Sequence, residues 1–193
     1  MDKRRIKMKK VILALLVGIA FLGCTKKFET DLKPYVTLNQ NEKQNTKIDF
    51  LGIEDQRAST TASKILNEGV VTSEYGISNN LKVWYKEAFI RELKIADMYS
   101  NKNSIYTVQV NIKKLEVTYK NDKLDKKNMQ VVIVLELVIK EGKTTKTSNI
   151  TINQTAYKMM VSDASDFEDI LNESIRDSVS KTVAILIKKV NNK

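Results

Sequence analysis

Few side chains in this 193-residue chain are suited to chemistry. Histidine is absent, and Cys24 is the single cysteine. Without histidine the chain lacks the commonest general base and the commonest metal ligand. Ser-His-Asp, Cys-His and His-based zinc sites are therefore excluded. Lysine and carboxylate chemistry remain, and Asp49, Glu54, Asp55 and Glu136 are the acidic residues near predicted core strands. They make no catalytic cluster in sequence, so the expectation is a protein that is not an enzyme and holds no metal or cofactor. Asp55 and Arg57 are the candidate partner-binding pair. On an extended chain, positions i and i+2 project to the same side. The carboxylate and guanidinium can then meet each other and tie down a loop, or together meet a polar partner.

Cys24 has a different chemistry, set by what precedes it. Six basic residues lie among the first ten, and residues 11–23 are apolar or small up to Gly23-Cys24. A positive start, a short apolar run and a small residue before the cut describe a bacterial export signal. The run is short of the roughly 20 residues a transmembrane helix needs. Phe21-Leu22-Gly23-Cys24 resembles the bacterial lipobox, with Phe21 where leucine is usual. In such sequences the cysteine sulfur receives diacylglycerol, and the new N-terminus is acylated. An ordinary secretory signal, or a single-span anchor with a chance cysteine, is the alternative. The expected organisation is a signal peptide over 1–23, a lipidated N-terminus and tether over 24–46, and a periplasmic domain over 47–193. Thr25, rather than aspartate, follows the cysteine, and under the enteric sorting rule this points to the outer membrane, periplasm-facing.

Composition is consistent with that organisation. The formal net charge is +10, but residues 1–23 hold six of the 33 basic residues and one of the 23 acidic ones. The remaining charge is modest and spread along the chain, which describes a soluble surface and not a nucleic-acid stripe. With its one cysteine lipidated, the domain has no intrachain disulfide and depends on its core.

Periodicity gives the elements. Residues 47–54 read as a strand with apolar residues on both faces, and 70–72 as a short strand after a Ser/Thr/Ala loop. Asn79 or Asn80 caps a helix reaching about Met98, with Leu81, Tyr85, Phe89, Leu93 and Ala96 on one face. Trp84 widens that stripe and reads as core packing before ligand platform. Residues 104–119 alternate on even numbers as far as Ile112 and on odd ones from Leu115, so one extra residue near Lys113-Lys114 predicts a β-bulge. A charged turn over 120–127 leads to the most apolar strand, 129–140, in which Glu136 interrupts the second face. Residues 144–158 complete an antiparallel meander. Ser165 to Glu168 has capping-box spacing, and an amphipathic helix follows. The fold class is α+β: a two-layer sandwich with a mostly antiparallel sheet and two helices on one face.

The ordered set Cys24, Pro34-Tyr35-Val36-Thr37-Leu38, Asp55-Gln56-Arg57, Val70-Val71-Thr72 and Tyr157…Ala164…Asp169-Ile170-Leu171-Asn172…Asp177 resembles the YajG-type bacterial lipoproteins. Asp97-Met98-Tyr99 stands where a glycine-aromatic pair is common in that family. The resemblance implies an outer-membrane address and supplies no catalytic residue. A non-enzymatic binding or assembly module is expected, held to the membrane by its lipid. Its partner would be an envelope protein, a glycan or a lipid, and nucleic acid is not expected. The alternatives are a transport auxiliary carrying an apolar ligand and an enzyme that uses the carboxylates above. Buried acyl chains contribute about 0.8 kcal/mol per methylene, so two or three chains anchor durably. Cys24→Ala is expected to leave an uncleaved precursor that takes up no labelled palmitate; normal processing and labelling would refute the anchor.

Overall fold

The structure is a computed structural model that describes residues 29–30, 32–37, 43–77, 80–100, 104–121 and 128–191. The expected signal peptide, Cys24 and most of the charged turn lie outside the described residues. The elements in order are β1 (Glu29–Thr30), β2 (Ile48–Asp55), β3 (Ser63–Asn67), β4 (Val70–Ile77), α1 (Leu81–Ile95), β5 (Tyr99–Ser100), β6 (Tyr106–Lys120), β7 (Met129–Glu141) and β8 (Thr144–Ala156). A 3-10 turn (Ala164–Phe167) then leads into α2 (Glu168–Asn191). They form the expected α+β sandwich, with the two helices on an eight-stranded sheet.

The antiparallel meander is its backbone. β6, β7 and β8 pair along their full lengths, and Gly142, at φ +57, supplies the left-handed position of the tight turn between β7 and β8. Along β7 the odd-numbered residues Val131, Ile133, Leu135, Leu137 and Ile139 are buried. The even-numbered ones face the open side.

The bulge falls where expected. Ile112 pairs with Leu135 and Lys114 with Val134, so Lys113 is the extra residue that keeps Val110, Ile112, Leu115 and Val117 on the buried face. Beyond β6 the sheet forks. β2 runs parallel to the first half of β6, up to Ile112, and β3 runs parallel to its second half, from Val117. β4 pairs with β3, and β1 with the end of β4.

Several elements differ from the sequence reading. β2 owes its two-faced apolar pattern to a second bulge, in which Leu51 is the unpaired residue and is 59% exposed. Gly52, at φ +125, makes this backbone possible. β3 occupies part of the expected loop. Its Ser63 and Lys64 give no apolar alternation, and Ala62 and Ser63 are buried because small side chains fit where β4 and β6 converge. α1 ends at Ile95, not Met98. Asp97, at φ +53, closes it as Met98 N donates to Leu93 O (2.8 Å) and Asp97 N to Lys94 O (3.1 Å), a Schellman cap. The start of the last helix is capped by Asp163 in place of Ser165. Asp163 Oδ1 accepts from Ser165 N (2.9 Å), and Asp166 Oδ2 accepts from Asp163 N (3.3 Å). A carboxylate is the stronger acceptor, and the Ser165 hydroxyl is used as a donor to Asp163.

The core between sheet and helices is aromatic on the α1 side. Phe89 is 1% exposed, with ring centroids 5.8 Å from Phe50 and 6.3 Å from Tyr85. α2 places Ser174 and Ser178 against this layer. Ser178 Oγ donates to Ile175 O (2.6 Å) and meets the Tyr85 hydroxyl at 3.0 Å. Gln154, which breaks the apolar face of β8 in sequence, accepts from Ser174 Oγ (2.6 Å). Phe89→Ala is expected to cost about 3–5 kcal/mol. Urea denaturation of residues 25–193 reads this directly, and an unchanged midpoint would mean that the α1 face is misassigned.

Candidate functional site

Asp55 ends β2, and the chain turns at once into Gln56-Arg57. The two side chains do meet. Arg57 Nε donates to Asp55 Oδ1 (2.9 Å), an NH2 group of Arg57 donates to Oδ2 (2.8 Å), and Arg57 N donates to Oδ1 (3.2 Å). The Arg57 side chain is only 9% exposed and that of Asp55 29%. The hydrogen bonds from Arg57 hold the Asp55 carboxyl below its ordinary value of 3.8. Both carboxylate oxygens are occupied by the partner two residues away, which is the geometry of a loop brace. The other guanidinium NH1 is buried without a hydrogen-bond partner among the described residues.

The four carboxylates considered for catalysis stay apart. Asp49 accepts from Ser104 N (3.2 Å), Glu54 binds Lys82 Nζ (3.0 Å) on α1, and Asp55 is held by Arg57. Glu136 lies on the open face of the sheet. It accepts from Asn111 Nδ2 (2.6 Å) and stands 3.2 Å from Lys113 Nζ. The Asn111 hydrogen bond first, and Lys113 after it, keep its carboxyl below the ordinary range. Glu54 and Glu136 share a row across the sheet, Glu54 opposite Asn111 and Asn111 opposite Glu136. Asn111 stands between the two, so they do not form an acid/base couple.

The expected tether is partly docked. Leu32 and Tyr35 are buried, and the stretch 32–37 lies across α1 and α2. Trp84 Nε1 donates to Lys33 O (2.9 Å), Arg91 to Tyr35 O (2.7 Å), and Lys33 N to Asn172 Oδ1 (2.8 Å). The Tyr35 hydroxyl donates to Glu92 Oε1 (2.6 Å), a carboxylate that is fully buried in α1. Burial, followed by the Glu92 hydrogen bond, raises the Tyr35 pKa far above its ordinary value. Sequence reasoning passed over this pair, although Glu92 falls on the apolar stripe of α1, where an acid needs a partner. Trp84 is thus used in packing, edge-on to Tyr35 at 5.7 Å.

β8 is the element left open. It pairs with β7 on one side, and among the described residues no strand pairs with its other side. Its Thr147, Asn149, Thr151, Asn153 and Thr155 are exposed on the face that the helices leave bare. Over 13 residues β8 has one charged residue, Lys146, no proline and no bulge. Edge strands usually carry such devices to prevent pairing with other chains. Among the described residues no helix is long and apolar enough to cross a membrane.

No family model matches the chain, and no curated protein matches it. Solved structures do. Protein XCC0632 from Xanthomonas campestris, attributed to family model DUF330, covers 81% of this chain and 91% of its own length. It superposes with a TM-score of 0.53 at 11% sequence identity. What the two share is the fold. A second solved structure, of an uncharacterized protein, covers 84% of this chain and 99% of its own, at 9% identity and a TM-score of 0.49.

Because its folded-state pKa is depressed, Asp55 contributes stability that is present above the ordinary aspartate value and is lost as pH falls through the lowered one. Arg57→Ala is expected to cost about 1–2 kcal/mol, since it strips a partly buried carboxylate of its partner. It should also reduce the loss of stability between neutral and acid pH. Urea midpoints at pH 7 and in the acid range check both. An unchanged midpoint with loss of partner binding would make the pair a recognition site.

Proposed function

We propose that this chain is a lipid-anchored bacterial envelope protein of the YajG type, and that it binds another envelope protein by strand addition at the outer edge of β8. The single observation that carries the partner surface is the 13-residue edge of β8, with which no strand pairs among the described residues. Strand addition takes affinity from main-chain hydrogen bonds and specificity from alternate side chains, here Thr147, Asn149, Thr151 and Asn153. The lipobox at Cys24 supports the anchor. A non-catalytic role is supported by the engagement of Glu54, Asp55 and Glu136 in separate ion pairs. The transport-auxiliary reading has less support. The groove beside β4, about 450 Å³, is lined by Glu29, Thr61, Thr72 and Glu74 as well as Tyr75 and Ile77, a mixed wall poorly suited to an apolar ligand.

The test is site-specific photocrosslinking in cells. A crosslinker at Thr151 is expected to give one discrete protein adduct, and one at the exposed Lys86 of α1 is expected to give none. Combining the Thr151 crosslinker with Thr147→Lys and Asn153→Lys should abolish the adduct without moving the denaturation midpoint. An adduct that survives both lysines, or one that proves to be glycan, would overturn strand addition.

A further inference from the structure

We infer that one end of the sheet, marked by Val70, Val71, Tyr157, Met159 and Met160, is the surface that rests on the lipid bilayer; this rests on the proposed anchor at Cys24. These side chains are 66%, 46%, 57%, 83% and 72% exposed. Strand register brings them to the same end. Val71 is opposite Leu66, Leu66 opposite Lys120, Tyr119 opposite Met129, and Met129 opposite Ala156, where β8 stops. The segment after β8 is then tied back to this end. The Tyr119 hydroxyl donates to Met159 O (3.3 Å), and Asn128 brackets Lys158 by accepting from its N (3.0 Å) and donating to its O (2.6 Å).

The direction of β1 and the length of the lead to Cys24 agree with this placement. β1 is parallel to β4, with Glu29 opposite Gly76 and Thr30 opposite Ile77, so the chain enters β1 from the side of Tyr75. Continuing in that direction along β4 leads to Val71 and Val70. Glu29 lies five positions after Cys24, and Gly76 five positions after Val71. Five residues span at most about 18 Å, so the lipid at Cys24 holds Glu29 within that distance of the bilayer. Thr30 Oγ1 donates to Ala164 O (3.2 Å), which joins the first strand to the turn just beyond the methionines. An anchored domain with a lead this short must keep one surface near the membrane. The surface within reach carries two exposed methionines, two valines and a tyrosine, side chains suited to the interface between water and acyl chains. At the opposite end, beside Tyr106 and Glu141, stands Ile105, 66% exposed.

Met160→Cys and Ile105→Cys each add one free thiol to the mature chain, because the lipid occupies the sulfur of Cys24. Each is labelled with an environment-sensitive fluorophore, and the lipidated protein is placed in phosphatidylethanolamine/phosphatidylglycerol vesicles containing a nitroxide lipid. The probe at 160 is expected to shift to the blue and be quenched, while the probe at 105 keeps its solvent spectrum. A solvent spectrum at 160, or equal quenching at both positions, overturns the inference. Palmitate uptake is measured on the same proteins. Uptake with a solvent-like probe at 160 overturns only the membrane-facing surface, whereas no uptake overturns the anchor and this inference together. Both substituted side chains are exposed, so an unchanged denaturation midpoint separates these outcomes from misfolding.

Discussion

The rest of the sheet depends on Lys113, the residue that β6 inserts opposite β7. The outer edge of β6 is 15 residues long, more than either the eight residues of β2 or the five of β3 can pair. The bulge divides that edge in two. β2 takes the half before it and β3 the half after it. Gln56, the first residue beyond β2, marks the division: its N donates to Ile112 O (2.9 Å), and its side chain accepts from Lys113 Nζ (2.6 Å). Lys113 also faces Glu136, so the extra residue is fixed on both sides, by β7 and by the loop between β2 and β3. Asp55 and Arg57 lie in this same loop. Their bidentate pairing therefore holds the chain where it must leave one half of β6 to reach the other.

A second constraint acts on the helix layer. α1 and α2 meet at Tyr85 and Ser178, and polar groups run from Gln154 through Ser174 to that contact. The stretch 32–37 closes the outside of this layer, with Tyr35 set on the buried acid Glu92. A carboxylate on an apolar stripe is costly unless it is hydrogen-bonded, so Glu92 makes the position of Tyr35 specific. The N-terminal stretch is thus part of the fold by Leu32, which is why so little chain is left between the domain and the proposed anchor.

These features differ in how far periodicity reveals them. The bulge of β6 was legible because the apolar residues change parity once, between Ile112 and Leu115, and only an inserted residue restores one face. The same parity change in β2 reads as burial on both faces, because Leu51 is apolar and nothing in its type records its exposure. β3 was hidden because its partners, not its own side chains, make it a strand. The Asp55–Arg57 contact followed from i, i+2 geometry. The Tyr35–Glu92 bond joins positions 57 residues apart, and local pattern carries no information on such pairs. Only the misfit of Glu92 on an apolar stripe signalled that a partner was needed.

The open side of the sheet follows from having two helices and eight strands. Among the described residues two helices cover one face, and no element covers the other. Threonine and asparagine on β8, with Val132, Val134 and Val138 half-buried beneath them, retain strand propensity without a large apolar surface. This composition makes the face soluble but leaves the edge untouched, since edge pairing depends on backbone groups and not on the face. A soluble face beside an unguarded edge is a hazard for a freely diffusing protein, which would meet other copies of itself in any orientation. The proposed anchor, by holding the domain to a bilayer through a short lead, would remove most of those orientations. Under the proposed anchor the lone Lys146 on β8 would be intelligible: restricted approach would stand in for the protection that charge and proline otherwise supply, and the backbone groups of the edge would stay available to a partner arriving alongside.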